Sequence, residues 1–394
     1  MRILLITLYF DPDMAANSVI MTKLARQLVA KGHEVTVVTA FPHYDTNRIW
    51  EKYRGKIVEK EEQDGLTVYR TYLYVPRKKT SILGRLLNYA SFNALSTLVG
   101  VFAGKHDVIL APSPPLTIGL SAYVISRLRR IPYIYNVQDI YPDVAIRLGV
   151  LTHRLAIRFF KAMERFVYAK AAAVSVLSQG FRRNLLNKDV PAEKIEVIPN
   201  FVDTDFVQPL ARRNGFAKRL NLNGHYVVLF AGNVGRSQGL THVLDTAHLL
   251  AERPDILFLI VGNGTSKASL KKKAKALGLE NVRFLPFQPL ELVPEMYASS
   301  DLCLVPLRHG IAQESVPSKV YTITAAGKPL VAAVDEGSDT WNFVEETGCG
   351  LLVAPEDPQA LADAILDLYR DRAAAQAMGM RGRRRVEAEF TPQA

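Results

Sequence analysis

Short runs of apolar residues recur along the 394-residue chain, and stretches with helical spacing separate them. "RILLITLYF" reads as a continuous apolar strand, residues 17 to 31 follow with helical periodicity, and "EVTVVTA" is a second strand. "DVILAPS", "IPYIYNV" and "AAAVSVLS" continue the series. A new series opens at "YVVLFAGN" and proceeds through "ILFLIVGNG", "VRFLPF", "DLCLVPL", "PLVAAV" and "GLLVA". Helices are expected between these strands at about 239–252, 265–277, 318–326, 339–347 and 357–371. Apolar strands joined by helices predict parallel sheets covered on both faces. Between the two series, "VIPNFVDTDFVQP" has the Pro, Asn and Asp of a linker. The expected architecture is α/β: two doubly wound, Rossmann-like domains, residues 1–203 and 204–394, facing each other across a cleft.

Composition changes this picture little. A hydrophobic fraction of 48% with 22% charged residues excludes wholesale disorder. Of the two cysteines, Cys303 and Cys349, the first lies in a strand-like run and reads as a buried thiol. "MRILLITLYF" lacks a basic leader and a small-residue cleavage site, so a cytoplasmic location is expected.

Charge changes more. The net charge of +11 calls for an acidic partner, and its placement is uneven. Arg77, Lys78, Lys79, Arg85, Lys105, Arg127, Arg129 and Arg130 face only Asp107 across residues 77–130. The apolar segment "FNALSTLVGVFAG" inside that stretch is too short to span a bilayer, for which roughly 20 residues are needed. Arg154, Arg158, Lys161 and Arg165 recur at steps that place them on one helical face. Basic residues beside apolar segments suit the anionic inner face of a cell membrane, as a peripheral contact; the plainer reading is a solvated basic face. No nucleic-acid-binding signature is present.

Three turns in the second half carry chemistry. "FAGNVGRSQGL" is a strand, a glycine-bearing turn and a helix starting near Gly239. Gly232 and Gly235 let backbone N–H groups approach a ligand, and Arg236 suits a phosphate. A second turn, Gly262-Asn263-Gly264, also follows a strand. In the third, "QESVPSKVYTITAAGKP", Glu314 precedes a Pro-Ser-Lys and a short helix whose start would attract an anion. The carboxyl edge of a doubly wound sheet is where ligands bind, so three such turns together are informative.

"YFDPDMAANS", "GHEVTVVTAFPHY", "YNVQDIYPD", "VIPNFVDT", "FAGNVGRSQGL" and "VPSKVYTITAAGKP", in this order, resemble glycosyltransferase family 4 (the group 1 glycosyltransferases), and within it the bacterial polysaccharide, colanic-acid-type branch. The resemblance implies the GT-B fold and a sugar moved from a nucleotide diphosphate, UDP foremost, with retention at the anomeric carbon and neither metal nor other cofactor. It places the donor in the second domain, the saccharide or lipid-diphosphate-linked acceptor in the first, and the last helix as a candidate to pack back on the first domain. Gly232 and Asn233 stand where the family's phosphate loop begins, and Glu314 at the first of its paired glutamates, which contacts the donor sugar. Two positions depart from the pattern: the second glutamate is Thr322 and the loop's usual lysine is Gln238. Arg236 and Lys319 are the local replacements for the missing charge.

The donor-binding expectation also takes in Gly235, Gly262, Gly264, Pro317, Ser318 and, from the loop Asp11–Asn17, Ala15 and Ala16, which replace small glycines. Asp139 is a candidate for positioning the acceptor or assisting proton transfer, with a helix N-cap as its plainer role. His43 and Tyr44 are candidates for the acceptor path. Asp11-Pro12-Asp13 and Asp203-Thr204-Asp205 fit the Asp-x-Asp pattern of metal-dependent transferases, although their surroundings favour turns. No GxGxxG opens either sheet, which disfavours a dehydrogenase. A non-catalytic nucleotide-sugar binder, motivated by Gln238 and Thr322, and a sugar-nucleotide epimerase are the alternatives.

Overall fold

The structure of the protein, a computed structural model, describes residues 1–13, 15–44, 46–77 and 81–393. Lys78 and Lys79 of the basic segment and the side chain of Ala16 lie outside the described residues. The chain divides into two units, Met1–Pro199 and Asn200–Ala394.

In the first unit, the strands are β1 (Arg2–Ile6), β2 (Glu34–Ala40), β3 (Val58–Gln63), β4 (Leu66–Thr71), β5 (Val108–Pro112), β6 (Tyr133–Val137), β7 (Ala173–Val176) and β8 (Ile195–Val197). Among the described residues they form one sheet in the order β3-β4-β2-β1-β5-β6-β7-β8. Every pairing is parallel except the β3–β4 hairpin, which closes through Asp64 and Gly65, both at positive φ, as a tight hairpin turn demands. β3 reads "VEKEEQ"; as a polar edge strand it offers no apolar run to find in the sequence. The helices are α1 (Ala16–Ala30), α2 (Ile82–Phe102), α3 (Ile118–Arg129), α4 (Asp143–Arg147), α5 (Arg154–Lys170) and α6 (Gln179–Leu186). The apolar segment 92–104 is largely the second half of α2, which starts where the Ser81 hydroxyl accepts the Gly84 N–H. Among the described residues no helix is long and apolar enough to cross a membrane.

The second unit runs α7 (Gly215–Arg219), β9 (Tyr226–Ala231), α8 (Leu240–Leu249), β10 (Ile256–Val261), α9 (Lys267–Ala276), β11 (Val282–Leu285), α10 (Val293–Ala298), β12 (Leu302–Pro306), α11 (Lys319–Ala325), β13 (Leu330–Ala333), α12 (Asp339–Thr347), β14 (Gly350–Val353), α13 (Pro358–Arg370) and α14 (Arg372–Glu389). Its parallel sheet has the order β11-β10-β9-β12-β13-β14. The order reverses between β9 and β12, and a doubly wound sheet opens its ligand crevice at that switch point, beyond the strand carboxyl ends. Side chains alternate across the sheet: Val227 and Leu229 join one core, Val228 and Phe230 the other. Burying each such residue contributes roughly 1.5–3 kcal/mol, so the two-faced apolar strands seen in the sequence hold both helix layers. Both cysteines are buried, Cys303 within β12.

α14 packs on α11, α12 and α13 of its own unit. Glycines allow the close approach: a Cβ at Gly379 would collide with the Gly327 carbonyl, and one at Gly382 would lie 2.7 Å from Thr324 Cγ2. The buried Arg383 donates to the carbonyls of Val207 and Ala325 (2.6 Å each) and Thr204 (3.0 Å), and pairs with Glu387 at 2.7 Å. One guanidinium therefore joins the stretch after the unit boundary to the end of α11. Arg383→Met strands three carbonyls and should destabilise the second unit by roughly 3 kcal/mol or more. An unchanged urea midpoint for that unit would contradict this role.

Candidate functional site

β9 delivers the chain into a glycine turn at the switch point. Gly232 has φ of +142°, a conformation side-chain-bearing residues rarely adopt, and a Cβ there would lie 3.4 Å from Lys319 Nζ. Lys319, the first residue of α11, reaches this turn with its ammonium. Nζ donates to Gln238 Oε1 at 2.6 Å and lies 3.9 Å from the centre of the Phe230 ring. Desolvation lowers the Lys319 pKa to about 7, although the residue as a whole is partly exposed. Gln238 has a physical logic here. A second lysine would repel the ammonium, whereas the amide oxygen receives and orients it. The structure thus brings Gly232, Gln238 and Lys319 together.

The second turn supports the first. The Val234 N–H donates to the Asn263 carbonyl, and the Ser266 N–H returns a bond to the Val234 carbonyl. A Cβ at Gly262 would collide with the Gly232 carbonyl, and one at Gly264 with the Val234 carbonyl. These two glycines are required by backbone packed on backbone. Lys267 secures them: its Nζ donates to the carbonyls of Gly262 (2.5 Å) and Leu285 (2.6 Å) and to Asn263 Oδ1 (3.0 Å). Sequence reasoning missed Lys267, because "KASLKKKAKA" looks like a solvated basic helix. Asn233 is exposed and Gly235 precedes the short 3₁₀ turn Arg236–Gln238. Arg236 is exposed and lines a cavity of about 330 Å³ with His242, Arg308 and Glu356.

In the third turn Glu314 is 2% exposed, its N–H bonded to the Ile311 carbonyl at 3.1 Å. Pro317 and Ser318 are partly buried and offer their carbonyls to the N–H groups of Val320 and Tyr321. α11 has seven residues, fewer than the expected 318–326, so its dipole is short and the positive charge at this edge comes chiefly from Lys319. Thr322, partly exposed, lies within α11.

The first unit carries its candidates at the carboxyl edge of its own sheet. The buried Asp13 accepts the backbone N–H groups of His43 (3.1 Å) and Tyr44 (3.0 Å), tying the loop after β1 to the loop after β2. Tyr9 stacks on His43 and meets Tyr44 edge-on. His43 is 5% exposed, with Nδ1 2.8 Å from the Phe41 carbonyl, so it braces the loop from inside while Tyr44 is partly exposed. Ala15 is buried at the start of α1 without a side-chain cap. Beside it the amide oxygen and nitrogen of Asn17 are both shielded and make no hydrogen bond among the described residues, at a cost of about 1–3 kcal/mol for each such group. Asp139 is partly exposed in the loop after β6; the N-cap of α4 is Pro142, so Asp139 does not cap that helix. Of the Asp-x-Asp pairs, Asp13 anchors a loop, and Asp203 accepts the N–H groups of Asp205 and Phe206 in a turn.

Comparison with known proteins agrees with this layout. The model of "Glycosyl transferases group 1" matches residues 212–385, and that of "Glycosyl transferase 4-like domain" matches residues 18–200. The putative colanic acid biosynthesis glycosyl transferase WcaI of Escherichia coli K12 is 30% identical over 376 residues, 93% of this chain and 91% of that protein. A GDP-mannose-dependent alpha-(1-6)-phosphatidylinositol monomannoside mannosyltransferase of Mycobacterium tuberculosis is 28% identical over 223 residues, 55% of this chain and 57% of that protein. Among solved structures, HepE of Anabaena, in complex with UDP and glucose, superposes with a TM-score of 0.76 at 18% identity, covering 100% of this chain and 96% of that one. The chain belongs to the group 1 glycosyltransferases, family 4, and its two parallel-sheet units are those of the GT-B fold.

Proposed function

We propose that the protein is a retaining glycosyltransferase that moves a sugar from a nucleotide diphosphate, UDP foremost, to a lipid-linked saccharide in surface polysaccharide biosynthesis. The observation that carries this reading is the Lys319 ammonium set against the Gly232 turn at the switch point. Breaking a sugar–phosphate bond builds charge on the leaving phosphate, and a preorganised cation and N–H groups aimed there lower the barrier. In this reading Lys319 and the turn take the diphosphate, Pro317 and Ser318 flank it, Glu314 orients the sugar, and Arg236 adds charge at the outer phosphate. Retention follows from attack on the same face, the leaving phosphate oxygen taking the acceptor's proton, with Asp139 and Tyr44 on the acceptor side. The reaction then needs no metal ion. The name of WcaI supports a polysaccharide role, that of the mannosyltransferase a lipid acceptor, and the HepE complex a uridine donor.

Helix α5 supports a peripheral contact with the anionic cytoplasmic face of the membrane. Its exposed side carries two parallel rows, the cations Arg154, Arg158, Lys161 and Arg165 and the apolar Leu155, Phe159, Ala162 and Phe166. Glu164, the one acidic residue of α5, is 1% exposed and pairs with Lys188 at 2.6 Å, so it leaves the cationic row unneutralised. α3 packs between α2 and α5 and adds the exposed Leu128, while α2 adds Leu98 and Phe102.

Two expected outcomes follow. A phosphate diester has no ionisation near pH 7, so UDP-glucose isolates Lys319. Above its pKa of about 7 the free lysine is neutral and must take up a proton to pair with the diphosphate. Affinity should therefore fall about tenfold per pH unit above 7 and be level below it, with about half a proton taken up at pH 7. Calorimetric titration in two buffers of different ionisation heat checks this; proton uptake persisting in Lys319→Gln would refute it. Separately, co-sedimentation with vesicles containing phosphatidylglycerol should weaken with salt and on replacing Arg154, Arg158, Lys161 and Arg165 by glutamine. Equal binding to neutral vesicles would contradict the electrostatic contact.

A further inference from the structure

Beyond the strands, one carboxylate organises the segment that carries Glu314. Asp335 follows β13 and its side chain is 13% exposed. Both of its oxygens lie 2.9 Å from the Gly310 N–H nitrogen. Oδ2 also accepts from the Ala312 N–H at 3.3 Å, and Oδ1 stands 2.8 Å from His309 Nδ1. Donors from three of four successive residues thus converge on a single anion, a concave arrangement that a carboxylate fits. Gly310 sits at φ of +76°, the turn that aims these donors inward.

The segment is fixed at both ends. Its first residue, Arg308, donates its N–H to the Ser237 carbonyl at 2.9 Å, inside the glycine turn. Ile311 and Ala312 are 1% and 0% exposed, and the Glu314 N–H closes on the Ile311 carbonyl. Without Asp335, irregular backbone from 309 to 312 would have to be ordered when the ligand binds, at a cost in conformational entropy. Prior ordering removes that cost from the binding step. The ammonium of Lys319 and the turn at Gly232 are held by other contacts, through Gln238 and Lys267.

We propose that Asp335 is a positioning residue for Glu314 and thereby sets the protein's preference for a sugar-bearing nucleotide over the bare nucleotide. The proposal rests on Glu314 meeting the donor sugar, as argued under the proposed function. Loss of Asp335 should loosen the grip on the sugar while leaving the grip on the diphosphate intact.

The test measures one ratio, the Kd of bare nucleotide over the Kd of its sugar conjugate. It is read by calorimetry with UDP and UDP-glucose and with GDP and GDP-mannose, using whichever pair binds. Wild type is compared with Asp335→Ala, Asp335→Asn and Glu314→Gln. The expected result is a ratio about fivefold or more lower in Asp335→Ala, close to that of Glu314→Gln, with the bare nucleotide bound within about twofold of wild type. Asp335→Asn keeps one acceptor oxygen and should fall between; it also carries the test if the alanine variant does not fold. A ratio lowered by Glu314→Gln but not by either Asp335 variant overturns the positioning role. Equal weakening of both ligands in the Asp335 variants overturns it too, since that marks a contribution to the fold alone. If Glu314→Gln leaves the ratio unchanged, the sugar-binding reading of Glu314 fails and the proposal falls with it.

Discussion

One ammonium stands at the switch point of the second unit's parallel sheet, and the turns beside it are arranged around it. Lys319 is desolvated, oriented by the amide oxygen of Gln238 and set against the ring of Phe230. A lysine in such surroundings loses hydration that only a strong anion restores, so its position favours a phosphate over a neutral ligand. The backbone around it is arranged accordingly. Gly232 supplies a positive φ beside the ammonium, and Gly262 and Gly264 let the second turn lie directly on the first. A side chain at Gly262 or Gly264 would displace the turn, and one at Gly232 would strain its backbone.

The supports of this arrangement are charged groups bonded to backbone. Lys267 ties the second turn to the end of β11, Asp335 gathers the segment leading to Glu314, and Arg383 fixes the end of α11 against the stretch that enters the unit. Each satisfies carbonyls or N–H groups that irregular backbone would otherwise leave without partners. The same device recurs in the first unit, where Asp13 holds the His43–Tyr44 loop. Of the two positions where the resemblance implies a lysine and a glutamate, Gln238 has a local reason, since its amide oxygen receives the Lys319 ammonium, and nothing in the structure explains Thr322.

The alternation of strands and helices was legible because both sheets bury two faces, which writes near-continuous apolar runs into the sequence. The polar edge strand β3 left no such mark, and α14, rich in Arg and Ala, carries only a weak amphipathic signal. The glycine turns and Lys319 were readable as motifs. Lys267 and Asp335 were not, since a lysine or an aspartate in a sequence looks the same whether it meets water or the backbone. The Leu285 carbonyl that Lys267 reaches lies 18 residues away and the Gly310 N–H that Asp335 accepts lies 25 away, and only the folded backbone brings them together. His43 shows the converse: a histidine next to a tyrosine in a loop suggests a ligand contact, yet burial and the Asp13 anchor make it part of the loop's frame.

The central claim is that Lys319 neutralises the leaving diphosphate during sugar transfer to a lipid-linked acceptor. Its most direct test supplies isotope-labelled nucleotide sugars, with UDP and GDP as carriers, to the protein and a membrane extract, and follows label into the lipid fraction. The account predicts label in that fraction with wild type and a rate at least about a hundredfold lower with Lys319→Gln, in line with the loss of one preorganised charge contact at a developing oxyanion. Transfer by Lys319→Gln at the wild-type rate would contradict it.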